Sequence, residues 1–197
     1  MAPVTVDPSK IKEFATEKAF EAWLSKHHAK ETELYLRIYK KGSGVRSVTY
    51  AQALDVALCW GWIDGLKKSY DEQSFLQRFS PRKPKSVWSE INRNHVARLI
   101  EAERMTPHGL RHVEAAQADG RWAAAYKGSR TMTVPDDLMR AIEADKKALA
   151  TFAKLDKQNL YALSFRVGNL KTAAGRAKKI ASYVQMLHRG ETLHPMK

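Results

Sequence analysis

A short alternating run near the start of the chain places the strongest constraint on its fold. Leu34, Leu36 and Ile38 alternate with two tyrosines and an arginine, which is the period of a strand with one buried face. Such a strand needs partners, and residues 62–70 and 74–79 supply two further strand patterns joined by a polar turn at 71–73. The first part of the chain is therefore predicted to contain a small antiparallel sheet.

Helices are predicted around this sheet from their start signals. Thr16 can cap a helix over residues 16–29 that packs on the sheet. Thr49 and Gln52 have the spacing of a capping box and start a second helix. Ser86 is placed to cap a long third helix, and Pro107 opens a fourth, because proline is tolerated in the first helical turn.

The second part of the chain shows only helical periodicity. Residues 126–131 combine small and polar side chains and form the best linker candidate. One apolar stripe on the last helix is made of Ala173, Ala177, Ile180, Val184 and Leu187. The predicted fold class is α+β: a small antiparallel sheet with packed helices (residues 1–126), followed by an all-helical, basic C-terminal part (residues 127–197).

Charge is concentrated at the helical end. The chain carries 34 Lys and Arg against 21 Asp and Glu, a net charge of +13. Residues 146–197 contain eleven basic residues and two acids, so most of the excess lies there. A field of this sign attracts polyanions such as nucleic acid. A single cysteine, Cys59, excludes an internal disulfide, and without a secretory signal or a long apolar run we expect a cytoplasmic protein with no transmembrane segment.

Four blocks of sequence resemble a known family. They are KKGSGV at residues 40–45, TYAQALDVALCWGWIDG at 49–65, FLQRFSPRKPKSVWS at 75–89 and RAKKIASYVQMLHRG at 176–190. The chain resembles the YdeI/OmpD-associated, or bacteriocin-protection, proteins over nearly its whole length. The resemblance implies a stress-response role in tolerance of bacteriocins or cationic peptides, and it brings no set of catalytic residues. A protein of this positive charge would repel a cationic peptide, so protection is expected to be indirect.

Two basic surfaces are candidates for binding an anionic partner, with nucleic acid as one such partner. The first is a predicted anion site beside the helix that Ser86 caps, made of Lys67, Lys68, Arg78, Arg82, Lys83 and Lys85. The second is a basic face on the last helices, made of Lys171, Arg176, Lys178 and Lys179. Solvated surface charges would produce the same sequence pattern in both places.

An alternative hypothesis is an enzyme or small-molecule binder. Its pocket would be lined by Asp55, Asp64, Gln77, Arg78 and Asn92. Asp55 lies within an apolar helix and needs a partner, for which Arg78 is the candidate. His108 and His112 are four residues apart but lack a third metal ligand, so we expect neither metal nor cofactor. The sequence favours a non-enzymatic binding protein.

Overall fold

A computed structural model describes residues 6–128 and 132–196. The chain divides into two compact units, unit 1 (Met1–Ala125) and unit 2 (Tyr126–Lys197). Unit 1 contains β1 (Ile11–Lys12), α1 (Glu17–His27), β2 (Leu34–Tyr39), α2 (Tyr50–Cys59), β3 (Trp62–Ser69), β4 (Ser74–Pro81), α3 (Glu90–Glu101) and α4 (Pro107–Ala118). Unit 2 contains α5 (Asp136–Glu143), α6 (Lys146–Phe152), α7 (Lys157–Gly168) and α8 (Ala173–His188).

The sheet of unit 1 has the strand order β1-β2-β4-β3. The three predicted strands form its antiparallel part, in which β4 pairs with both β2 and β3. The two-residue β1 pairs in parallel with β2 and makes the sheet mixed. A strand this short has no readable alternation, so the sequence pattern did not predict it. The α+β class is confirmed.

One face of the sheet packs against α1 and α2. Leu34, Leu36 and Ile38 of β2 are buried against Phe20 and Leu24 of α1, as the alternation predicts. Tyr35, on the opposite face of β2, is also buried, which the prediction of a single buried face did not include. Burying a side chain of this size stabilises the fold by about 1.5–3 kcal/mol relative to leaving it in water. These residues therefore fix which face of the sheet the helices cover.

The helix starts agree with the sequence signals except at α3. The capping box of α2 is confirmed: the Thr49 hydroxyl accepts from the Gln52 backbone N–H, and the Gln52 side chain accepts from the Thr49 backbone N–H. The predicted cap at Ser86 is wrong, because Ser89 caps α3. The Ser86 N–H instead donates to Lys83 O in a turn. Residues 86–88, which end at the buried Trp88, are not helical.

Helix α4 approaches the end of α2 closely. The Thr106 hydroxyl, just before α4, donates to Cys59 O at 2.6 Å. Gly109 in the first turn is buried, and a Cβ atom there would lie 2.4 Å from Cys59 O and 2.8 Å from Leu58 O. Only glycine fits at this contact, because both neighbours are backbone atoms.

Two histidines meet where α1 ends and α4 begins. The rings of His28 and His108 have centroids 4.0 Å apart, and His108 also stacks on Trp60. Burial, together with the nearby His28 and Arg111, lowers the pKa of His108. The neutral imidazole of His108 is therefore the form that the folded state favours.

Acidification is expected to destabilise the protein through His108. Because its folded-state pKa lies below the unfolded value, the unfolded chain takes up the proton more readily, and stability falls as the pH drops. Thermal unfolding should show a Tm that decreases between about pH 7.5 and 5.5, above the range where carboxylates titrate. His108→Gln should reduce this slope without abolishing it, because burial also lowers the pKa of His112; an unchanged slope would contradict the role given to His108.

The core of unit 2 is formed by one face of each helix. Leu138 and Ile142 of α5 are fully buried with Leu163 of α7 and Leu187 of α8. The predicted apolar stripe on α8 is partly wrong. Its first two members, Ala173 and Ala177, are exposed, whereas the core face is formed by Ile180, Tyr183 and Leu187. Alanine occurs both in protein cores and on surfaces, so helical periodicity alone does not predict which alanines of α8 are buried. In the part of the chain that the structure describes, no helix is both long and apolar enough to cross a membrane.

Candidate functional site

The predicted anion site does not form one cluster. Lys68 stands opposite Leu76, five residues before the end of β4, and Lys83 and Lys85 come after that end. Five residues of strand span about 17 Å. Lys67 faces the opposite side of the sheet from Lys68. Its ammonium lies 4.1 Å from the centre of the Phe75 ring. The lysines are therefore spread between β3 and the segment that follows β4.

The two arginines of that predicted site make internal contacts. The Arg78 Nε donates to Glu33 Oε2 at 2.7 Å. Arg82 is only 5% exposed; its guanidinium lies 3.6 Å from the centre of the Trp88 ring, and its Nη2 donates to Val87 O at 2.6 Å. These contacts hold the chain between β4 and α3, so Arg82 is placed as a structural residue.

Unit 2 presents positive charge that its own acids do not neutralise. Asp137 and Glu191 pair with arginines, and Asp145 and Asp156 cap the starts of α6 and α7. Within the described part of unit 2, none of the lysines forms an ion pair. These lysines are Lys127, Lys146, Lys147, Lys154, Lys157, Lys171, Lys178 and Lys179.

Arg176, a member of the predicted second surface, serves the packing of α8. Its Nε and Nη2 donate to the Asp137 carboxylate at 2.5 and 2.8 Å, and its Nη1 donates to Val167 O at 2.8 Å. The guanidinium lowers the pKa of Asp137 to about 2. Arg176 thus ties α8 to α5 and α7 and leaves the lysines as the exposed charges of this surface.

The outward side of α8 is flat and basic. Its exposed residues, which we call the α8 basic face, are Ala174, Ala177, Lys178, Ala181, Ser182 and Gln185, with Lys171 and Lys179 at its margin. The alanines and the serine project little above the helix backbone. Lys171 precedes Thr172, the N-cap of α8, and Lys178 lies on the second turn of the helix. A long anionic chain can therefore approach the helix closely between flexible ammonium groups.

The residues of the alternative pocket have separate partners. The Asp55 carboxylate accepts two hydrogen bonds from Arg98 Nη2, at 2.7 and 2.8 Å, and lies 3.2 Å from His95 Nδ1. The expectation that Arg78 pairs with Asp55 is wrong. The sequence signal for the true partners was weak, because an arginine and a histidine on α3 resemble any solvated helix face.

The other three members are also engaged locally. Asp64 accepts a hydrogen bond from the Tyr50 hydroxyl at 2.8 Å. Burial first, and this carboxylate second, raise the pKa of the Tyr50 hydroxyl. Gln77 is buried and donates to Gly65 O at 2.9 Å, and the backbone N–H of Asn92 donates to the Ser89 hydroxyl that caps α3. The structure gives Asp55, Asp64, Gln77 and Asn92 different neighbours.

These features define an α+β protein with a basic helical end, and comparison with family models refines that class. The model for a domain of unknown function, DUF8412, matches residues 12–112. Because this match spans just over half of the chain, the chain belongs to the DUF8412 family. The model described as bacteriocin-protection, YdeI or OmpD-associated matches residues 131–190. No curated protein and no solved structure matches the chain.

The two family models match different parts of the chain over which the sequence predicted a single resemblance. The resemblance to bacteriocin-protection proteins is confirmed over 131–190, which contains α5, α6, α7 and α8. The blocks at 40–45, 49–65 and 75–89 fall instead within the DUF8412 match. The resemblance to bacteriocin-protection proteins is thus narrower than predicted, and it coincides with the unit that carries the α8 basic face.

Proposed function

We propose that this chain is a bacteriocin-protection-type stress protein that binds nucleic acid through the α8 basic face. The observation that carries the proposal is the set of lysines that form no ion pair within the described part of unit 2, beside a helix surface of small side chains. The family match over 131–190 supports the general class. Binding in the cytoplasm is part of the proposal, since nucleic acid is the abundant polyanion there.

The physical basis is the release of counterions from a phosphate backbone. Each lysine that neutralises a phosphate frees condensed cations, so the affinity rises with the number of contacts and falls with salt. Lys171, Lys178 and Lys179 together would give a slope of log K against log salt of about −2.7 on duplex DNA. Arg176 contributes indirectly, because its hydrogen bonds to Asp137 and Val167 fix the orientation of α8.

The proposal accounts for protection without direct capture of a peptide. The net charge of +13 repels a cationic bacteriocin. A protein that binds nucleic acid would act on the response of the cell rather than on the toxin. This form of protection is consistent with the indirect role expected from the sequence.

Removing two lysines of the α8 basic face is expected to weaken binding and its salt dependence together. Lys171→Gln with Lys178→Gln should reduce the salt slope by about 2 and the affinity for a labelled DNA duplex by about tenfold or more. Fluorescence anisotropy at several salt concentrations measures both quantities. Circular dichroism of the variant checks that the helices remain folded.

A matched variant separates location from net charge. Lys83→Gln with Lys85→Gln removes the same charge from exposed positions of unit 1 and should leave the duplex affinity nearly unchanged. An equal loss in both variants would assign binding to net charge alone and overturn the assignment to α8. An affinity of the unaltered protein weaker than about 10⁻⁴ M would reject nucleic acid as the partner.

The enzyme hypothesis receives no comparable support. Its two carboxylates are held by different partners, Asp55 by Arg98 and Asp64 by Tyr50. Gln77 uses its amide nitrogen within the sheet. These interactions are those of structural side chains, so the binding function is the one we propose.

A further inference from the structure

A cleft in unit 1 shares no lining residue with the predicted anion site, the α8 basic face or the alternative pocket. It has a volume of about 290 Å³ and opens between the start of α1 and the segment that precedes α2. Its walls include Thr16, Glu17, Lys18, Arg46, Ser47 and Gln52. The Val48 N–H donates to Phe14 O at 2.9 Å and joins the two chain segments that form these walls.

The charge of this cleft is positive. Lys18 and Arg46 are both exposed, and neither forms an ion pair within the part of the chain that the structure describes. Glu17 is the one acidic residue among the lining side chains, and its carboxylate is already bound by Arg104. An entering anion would therefore meet two cations that have no ion-pair partner among the described residues, and one acid that is already paired with Arg104.

One polar side chain of the cleft, Gln52, is held in the orientation of a donor. The Gln52 Oε1 accepts from the backbone N–H and the hydroxyl of Thr49, at 3.0 and 2.9 Å. This fixes the amide orientation and leaves the amide NH₂ as the end that can donate. The Ser47 hydroxyl accepts a hydrogen bond from the Tyr39 N–H and donates one to Val48 O. A fixed amide donor beside an arginine and a lysine is suited to an oxyanion rather than to a cation.

We propose that this cleft binds the phosphate group of a small phosphorylated metabolite. Arg46 supplies two parallel donors to the phosphate oxygens, Lys18 supplies a compact charge, and Gln52 donates from its amide. The volume of the cleft is at the small end of ligand pockets, so it fits a phosphate with a small organic group attached. The site is independent of the α8 basic face, because its residues belong to unit 1.

Calorimetric titration of the full chain with inorganic phosphate, and separately with a sugar monophosphate, tests this site. Both probes should bind saturably with one site per chain, and tighter binding of the sugar monophosphate would show that the organic group is also recognised. Lys18→Gln with Arg46→Gln should weaken binding by about tenfold or more, since each lost partner donates a charge-assisted hydrogen bond. Equal binding by this variant, or no saturation up to about 10 mM of either probe, would overturn the proposal.

Two control variants keep this result distinct from the nucleic-acid proposal. Lys83→Gln with Lys85→Gln removes the same charge from unit 1 away from the cleft and should bind both probes as the unaltered protein does. Lys171→Gln with Lys178→Gln, which tests the α8 basic face, should also leave the titration unchanged. If either control weakens phosphate binding as much as the cleft variant does, the signal reflects net charge and the cleft is not the site.

Discussion

Gly109→Ala is expected to lower the free energy of unfolding by about 3 kcal/mol, because the new methyl group has no room. It would meet Cys59 O at 2.4 Å and Leu58 O at 2.8 Å, and both are backbone atoms at the end of α2. Relief would require α4 to move away from α2, which would also strain the hydrogen bond from Thr106 to Cys59 O. Urea or thermal unfolding measures the change.

The same substitution at Gly168 provides the matched control. Gly168 is the last residue of α7, and a Cβ atom there would meet nothing within 4 Å. Gly168→Ala should stabilise the protein by about 0.5 kcal/mol, since alanine restricts the unfolded chain. A Gly109→Ala protein as stable as the Gly168→Ala protein would show that α4 does not approach α2 as described.

Arg82→Ala is expected to cost about 2–4 kcal/mol of stability and to leave nucleic-acid affinity unchanged. The buried guanidinium lies over the Trp88 ring and donates to Val87 O. A hydrogen bond from a charged group contributes about 1.5–3 kcal/mol, and a desolvated cation–π contact about 2 kcal/mol. Denaturant unfolding measures the loss of stability, and fluorescence anisotropy with the folded variant measures its nucleic-acid affinity.

Lys83→Ala, at the next position along the chain, should change stability by less than about 0.5 kcal/mol, because Lys83 is exposed. The pair therefore separates a structural arginine from a surface lysine within one basic segment. A stable Arg82→Ala protein with weakened duplex binding would restore the predicted anion site between β3 and α3. It would also remove the structural role that the Trp88 contact gives to Arg82.

The fold was largely predictable because its signals are local. The alternation in β2 and the cap at Thr16 each depend on a few neighbouring residues, and the structure contains both. The capping box formed by Thr49 and Gln52 belongs to the same class. The start of α3 was misplaced because Ser86 and Ser89 are equally good caps in isolation. The burial of Trp88 decided between them, and burial is a tertiary effect.

The site was less predictable because a sequence does not show which of its charged side chains have partners within the fold. Arg78, Arg82 and Arg176 look like surface cations in the sequence, yet each is held by an internal partner. Lys18 and Arg46 are far apart in the sequence and were not singled out, and only the fold brings them to one cleft. Long-range pairing of this kind leaves no mark on local periodicity.

Because Cys59 is buried, its reactivity can report the opening of the structure around it. Cys59 is the one cysteine of the sequence, it is 2% exposed, and burial raises the pKa of its thiol to about 11. Since only an accessible thiolate reacts quickly, labelling by a thiol reagent must wait until the α2 region opens. The labelling rate therefore reports the opening of unit 1 alone, so the effect of a substitution can be assigned to one unit without introducing another cysteine.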